Sequence, residues 1–429
     1  MDRLQLPFND PEAYQEGRLA AYYDMLHQAD VSSFDDPEIG MTVVWRYKDV
    51  EQVMLGADPA ISNKNSLDPL TPLGQFATNP QAWPHLVHLL TRVTPSTANA
   101  PKAPHDQVKR TLLDSEHPRS LRPQGFADRY GDLIRERVDE AASDLRTALE
   151  QKRVADFGKI FAGPVAAGVI GAALGLPRAE WPKIERKATA QAALLGQILP
   201  RNEQAPALGA LVDLSKMSGH SIRQNIEAPT DSLAGLLARQ GDRALSKKLA
   251  TSAMMNLVAA GFITTYGTIL NSERHILSTW GSAIRRGLSD PATVRGTITE
   301  SLRTDTSLLG WKRKTVSELT LPSGAKIPPN RQVVALIGAA NRDPNVFSDP
   351  HERRPDRYDM PRAPRPLTFG LGPHYCVGYE LATLELTTAL LTVREQLPDL
   401  QLHNPALIKY KADSMFRLPA TAVRVMLGA

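Results

Sequence analysis

The chain has 429 residues, 42% of them hydrophobic and 22% charged, with 50 basic against 46 acidic side chains. That length can bury a large core, the composition is ordinary for a globular protein, and a net charge of +4 without a basic block gives no footing for nucleic acid. A single cysteine excludes an internal disulfide and fits a reducing compartment. The first ten residues hold no apolar stretch of signal length, and no run reaches the roughly 18 apolar residues of a membrane span. The expectation is a cytoplasmic protein that meets no membrane.

Residues 1–40 read as polar and loop-rich, with a helical run from Tyr14 to Gln28. Met41 to Tyr47 is β-branched and aromatic and predicts a strand, followed by a short helix over Lys48 to Leu55. Pro59 to Pro104 is proline-rich and irregular, with an apolar run from His85 to Val93. Long irregular segments inside compact proteins are often functional. His105 opens a helical pattern in which His105 and Lys109 share a face. Gln124 to Leu149 predicts an amphipathic helix, and Val154 to Leu176 a buried helical pair broken near Pro164. Residues 182–228 read as helical with a break at Leu199 to Arg201, and Asp231 to Arg239 as a short helix.

Lys247 to Leu277 is the longest helical signal. Its interior holds Gly261, Thr264, Thr265 and Gly267, types that weaken a helix relative to alanine. A local conflict of this kind points to function. The helix predicted over Pro291 to Thr306 carries Glu300 and Arg303, three apart and able to pair. Short strands are expected at Trp311 to Val316, Leu319 to Leu321 and Gln332 to Ile337. With no internal repeat and no linker, residues 1–429 read as one domain.

Near the C-terminus stands Phe369-Gly370-Leu371-Gly372-Pro373-His374-Tyr375-Cys376-Val377-Gly378. Glycine tolerates positive φ and lets a flat partner approach the backbone. A helical pattern runs from Glu380 to about Glu395, so Cys376 lies just before a helix N-terminus, where the dipole and free N–H groups favour a thiolate. Such a thiolate suits a haem iron, whereas a lone cysteine is otherwise a small buried hydrophobe. The pattern Phe-Gly-x-Gly-x-His-x-Cys-x-Gly resembles the haem-binding loop of the cytochrome P-450 family.

The resemblance extends from about residue 41 to the end and implies a mainly α fold with small β-sheets, triangular in outline, with haem b between the long central helix and the Cys376 loop. It makes Cys376 the iron ligand, with Phe369, Gly370 and Gly378 around it. It places His105, Lys109, Arg313 and His374 at the haem propionates, Lys109 standing where the family has arginine. Thr264 matches a threonine that helps deliver protons to dioxygen, and Gly261 a glycine that admits ligand. Ile263 stands where the family has an acid. Glu300, Arg303 and Arg357, the last in Pro355-Asp356-Arg357-Tyr358, match a buried structural network, and Ala339 to Pro344 resembles a further signature. Asp305-Thr306-Ser307 replaces the family's Asp-Pro-Pro, so the strand that follows is free to take another path.

The activity implied is a monooxygenase that hydroxylates or epoxidises a small organic substrate, in natural-product (secondary) metabolism. The alternative, motivated by Ile263, is oxidative coupling, ring formation or nitration. A haem sensor or a carrier-recruiting domain is a third reading, opposed by Cys376, Thr264 and Gly261. Without a flavin or nicotinamide signature, electrons are expected from a ferredoxin or flavodoxin with its reductase, docked near Cys376. The pocket is expected to draw on residues 60–104 and 165–225, on Phe262 and on Phe416.

Overall fold

The computed structural model describes residues 17–37, 40–63, 76, 78–96, 100, 102–196, 199–242, 244–279, 291–410 and 415–428. The first residues of the helical run expected over Tyr14 to Gln28, and much of the proline-rich segment, at 64–75, fall outside these residues; the rest of that run is the helix Arg18–Gln28.

A central helix, Lys247–Thr279, runs through the interior. Helices Gly163–Ala173, Ile184–Gly196, Arg201–Glu227 and Tyr379–Gln396 all pack against it. A helix surrounded in this way is apolar on every side. By length and composition alone it is apolar enough to cross a membrane, as a buried core helix can be, and 67% of its apolar window is buried inside the protein. Two glycines allow the close packing. A Cβ on Gly261 would lie 2.8 Å from Ile170 Cδ1, and one on Gly267 would lie 2.6 Å from both Leu418 Cδ2 and Ser307 Cβ.

Among the described residues, three small sheets flank the helices. The largest orders its strands Ser33–Asp36, Met41–Val44, Gln332–Ala335, Trp311–Thr315 and Ile61–Ser62. The pairing of Met41–Val44 with Gln332–Ala335 is parallel and the others are antiparallel. The predicted strand over 41–47 ends early, because Tyr47 starts the helix Tyr47–Leu55 with its N–H on the Asp343 carboxylate at 2.8 Å.

The segment from Val154 differs more from its reading as a helical pair. Ala155–Asp156 is a strand on the C-terminal strand Arg424–Leu427, and a π-helical turn over Gly158–Ala162 leads into Gly163–Ala173. Pro164 therefore sits in the first α-helical turn after the π-helical one, and the widened π-turn accommodates it so that the helical run passes through without breaking.

Glu300, Arg303 and Arg357 come together in the interior. Arg303, fully buried, donates Nη2 to Glu300 Oε1 at 2.6 Å and Nε to Oε2 at 2.9 Å. Arg357 Nε reaches Glu300 Oε1 at 3.5 Å, and Tyr358 donates to Oε2 at 2.9 Å. Arg303 also donates to the carbonyl of Asn341 at 2.8 Å, and the Asn341 side chain accepts the Leu367 N–H at 2.7 Å. Asn341 Nδ2 bonds Thr368 Oγ1 at 3.0 Å. The network thus fixes the chain where the cysteine loop begins.

Candidate active site

Cys376 lies between a short turn and the helix Tyr379–Gln396. Its N–H donates to Phe369 O at 2.9 Å, which closes the loop on itself. Gly370 and Gly372 take φ of 68° and 63°, the left-handed region that suits glycine. Cys376 is partly buried and borders a cavity of about 300 Å³. Burial pushes the thiol up, while the Gly378 N–H and Lys109 pull the other way. The donor at the helix start and the enclosure of the sulfur thus act in opposite directions.

The cavity brings most of the sequence-predicted site residues together. Phe369, Gly370, His374, Cys376 and Gly378 form one side of it. Gly261, Ile263 and Thr264 on the central helix border it as well, and so does Arg313. His105 and Lys109 stand behind this wall. The His105 ring packs on His374 with centroids 3.9 Å apart and bonds Asp106 at 2.9 Å. Lys109 Nζ donates to Pro373 O at 2.5 Å and Tyr375 O at 3.3 Å, so it is bound to the cysteine loop itself.

Arg313 is 2% exposed. Nη1 donates to Lys312 O at 2.9 Å, and Nε has no partner among the described residues. Burial pushes its pKa down to about 10. His374 falls further, to about 3, through burial and then the neighbouring His105 and Arg313. A buried guanidinium without a carboxylate is costly. The cluster is therefore complementary to an anionic group entering from the cavity.

Thr264 Oγ1 donates back to Ala260 O at 2.6 Å. The Thr264 carbonyl accepts from Thr268 Oγ1 at 2.7 Å and from Ser307 Oγ at 2.9 Å. Ser307 was not among the sequence candidates. Its signal was the departure from Asp-Pro-Pro, since a proline there has no hydroxyl to reach the central helix. The following strand still enters beside the cavity, through a Leu308–Phe416 bridge, and Phe416 lines the cavity as expected. Phe262 does not; it is buried and stacked on Tyr266 at 5.4 Å. The helix turns it away while Gly261, Ile263 and Thr264 face in. From 165–225 the cavity takes Ile170, Ala188, Gln191 and Ala192, and among the described residues it takes none from 60–104.

Glu385 was also missed. It borders the cavity at 2% exposure, and Oε1 has no partner among the described residues. Burial raises its pKa well above the usual range. The available signal was a carboxylate one helical turn from Leu381 and Ala389 on a buried face.

The family model described as Cytochrome P450 matches residues 292–396, which span the Glu300 network and the cysteine loop. Mycinamicin IV hydroxylase/epoxidase of Micromonospora griseorubida is 27% identical over 412 residues, covering 93% of this chain and 92% of that one. A solved structure, cytochrome P450 CREJ in complex with (4-ethylphenyl) dihydrogen phosphate, matches with a TM-score of 0.85 at 24% identity over 99% of both chains. The chain belongs to the cytochrome P450 family. Epothilone C/D epoxidase of Sorangium cellulosum is another P450 relative, 29% identical over 305 residues, 69% of this chain and 71% of that one. The family implies a haem. Arg313, whose Nε has no partner among the described residues, stands with His374 on the cavity, and Cys376 borders the same cavity as Gly261 of the central helix; the two ends fit the haem's propionates and its iron.

Proposed function

We propose that this P450 is a haem-thiolate monooxygenase that hydroxylates or epoxidises a small organic substrate, as the names of the relatives above support for those proteins. The observation that carries the reading is Cys376 facing the same cavity as Gly261 and Thr264. Bound there, haem b supplies reductive activation of dioxygen, with two electrons and two protons consumed, one oxygen atom inserted into a C–H or C=C bond and the other leaving as water.

The chain's own residues do the rest. Cys376 would hold the haem iron through its sulfur, and the Gly378 N–H donates toward that sulfur and would stabilise the thiolate charge. Arg313 and His374 take the propionate end, with His105 stacked behind His374. Lys109 holds the Pro373 and Tyr375 carbonyls and so fixes the loop. Phe369 packs beside the loop, its ring 4.8 Å from Tyr379. The Thr264 hydroxyl has its proton on Ala260 O, which leaves its oxygen lone pairs to accept from water or substrate in the cavity. Ile263 carries no proton, so protons reach this face through ordered water or the substrate itself.

Ile263 also favours a second reading, in which the site couples or cyclises its substrate, or nitrates it. Product mass separates the two: a gain of one oxygen atom marks monooxygenation, and loss of two hydrogens marks coupling. We assign electron supply to a separate ferredoxin or flavodoxin with its reductase, docking on the Cys376 side, natural-product tailoring as the metabolic setting, and the cytoplasm as the location. The deciding experiment is the carbon-monoxide spectrum of the reduced protein. Thiolate ligation displaces the main band to long wavelength, and a folded, haem-loaded protein without that displacement overturns the proposal.

A further inference from the structure

The cavity wall carries a polar pair that the oxygen chemistry does not use. Gln191, on helix Ile184–Gly196, donates from Nε2 to Asn256 Oδ1 at 2.8 Å. Asn256, on the central helix, donates from Nδ2 to Ser96 Oγ at 2.6 Å. Both amide side chains border the cavity, and their neighbours in its wall, Ala188, Ala192, Leu257 and Ala260, are apolar. Gln191 Oε1 is enclosed and has no hydrogen-bond partner among the described residues. An enclosed amide oxygen without a donor is a standing cost that an incoming O–H or N–H removes. The Gln191 side chain is only partly buried, so a small rotation presents this oxygen to a guest.

A hydroxyl suits either direction of the run. If Ser96 donates and both amides are reversed, Gln191 is left with an unused N–H in place of the oxygen. A hydroxyl both donates and accepts, so it serves either arrangement. Position adds a second constraint. Asn256 stands eight residues before Thr264, about 12 Å along the helix axis. It stands seven before Ile263, which puts the two on one helix face.

We infer that Gln191, supported by Asn256, is a recognition point for a hydroxyl on an otherwise apolar substrate, with the oxidised position about 12 Å away, at the Thr264 end. The placement of that oxidised end rests on the monooxygenase reading, whereas the hydroxyl preference does not.

The test uses the haem-loaded protein and two probes of similar length and apolar character, decan-1-ol and decyl methyl ether, with dissociation constants from calorimetry. Wild type is expected to bind the alcohol about tenfold more tightly, the size of one good hydrogen bond. Gln191→Leu, which fills the space, and Gln191→Ala, which empties it, should each bring the ratio to about one. Shape effects alone would move affinity in opposite directions in these two variants. Equal affinities in wild type, binding of neither probe, or a preference that survives both substitutions overturns the inference. The carbon-monoxide spectrum of the same samples reports separately on haem ligation, so loss of the monooxygenase reading is distinguishable from loss of the hydroxyl site.

Discussion

At the residue scale the unusual position is Ile263. It is 2% exposed and borders the cavity one residue before Thr264. Replacing it with an acid puts a proton donor where the family pattern has one. A well-placed general acid contributes about 10²-fold or more, so even partial recovery in Ile263→Asp should raise kcat roughly tenfold if proton supply limits turnover. The measurements are the rate of product formation and the product formed per electron pair consumed, with surrogate redox partners. Unchanged, already well-coupled turnover would show that substrate or water supplies the protons adequately. Cys376 and Thr264 were legible in the sequence because their neighbours form a dense local pattern. Ser307 and Glu385 were not, because their meaning depends on what the fold brings opposite them. The Ser307 hydroxyl matters through a carbonyl on the central helix, and Glu385 through the enclosure of its carboxyl.

At the element scale, the long helices were readable from apolar periodicity and from punctuation such as Pro200 before Arg201–Glu227. The two-residue strands Ala155–Asp156 and Lys326–Ile327 were not, since a strand that short is defined by its partner and not by its own composition. Helix packing also changes the account of Gly261. The sequence reading gave it room for a ligand, and the structure shows a packing demand on the same atom, with Ile170 Cδ1 and Cγ1 both 2.8 Å from a Cβ placed there. Gly261→Ala should destabilise the protein by about 1–3 kcal/mol through overpacking, despite alanine's better helix propensity. Adding Ile170→Val removes the Cδ1 methyl and should recover part of that loss. A urea double-mutant cycle measures the coupling. Strict additivity of the two changes would show that Ile170 is not what limits position 261.

At the scale of the whole molecule, buried ionisable groups set two opposing limbs of stability against pH. On the acid side, burial pushes Glu300 up, but Arg303, the Arg354 N–H and Tyr358 bring it below the usual range. Asp305 behaves alike, with Arg353 and His275 overcoming burial. Both carboxyls have folded pKa values below their unfolded ones. Their contribution is present above the unfolded value and is lost as pH falls through the folded one. His27, lowered chiefly by burial, adds to this limb, because unfolding lets it take up a proton below about pH 6.5. Glu385 has the reverse sign. Its folded pKa is raised, so above about pH 4.3 the folded state holds a proton that the unfolded state has released. Stability then falls with rising pH, by about 1.4 kcal/mol per unit, until the folded value is reached. A glutamine in its place would keep the size and neutrality of the protonated acid but would not titrate. Glu385→Gln should therefore match wild type near pH 4 and gain on it as pH rises from there, until the folded-state value is passed. Urea unfolding across that range measures the difference. A constant offset between the two proteins would mean that Glu385 is ionised in the fold and paired with a cation.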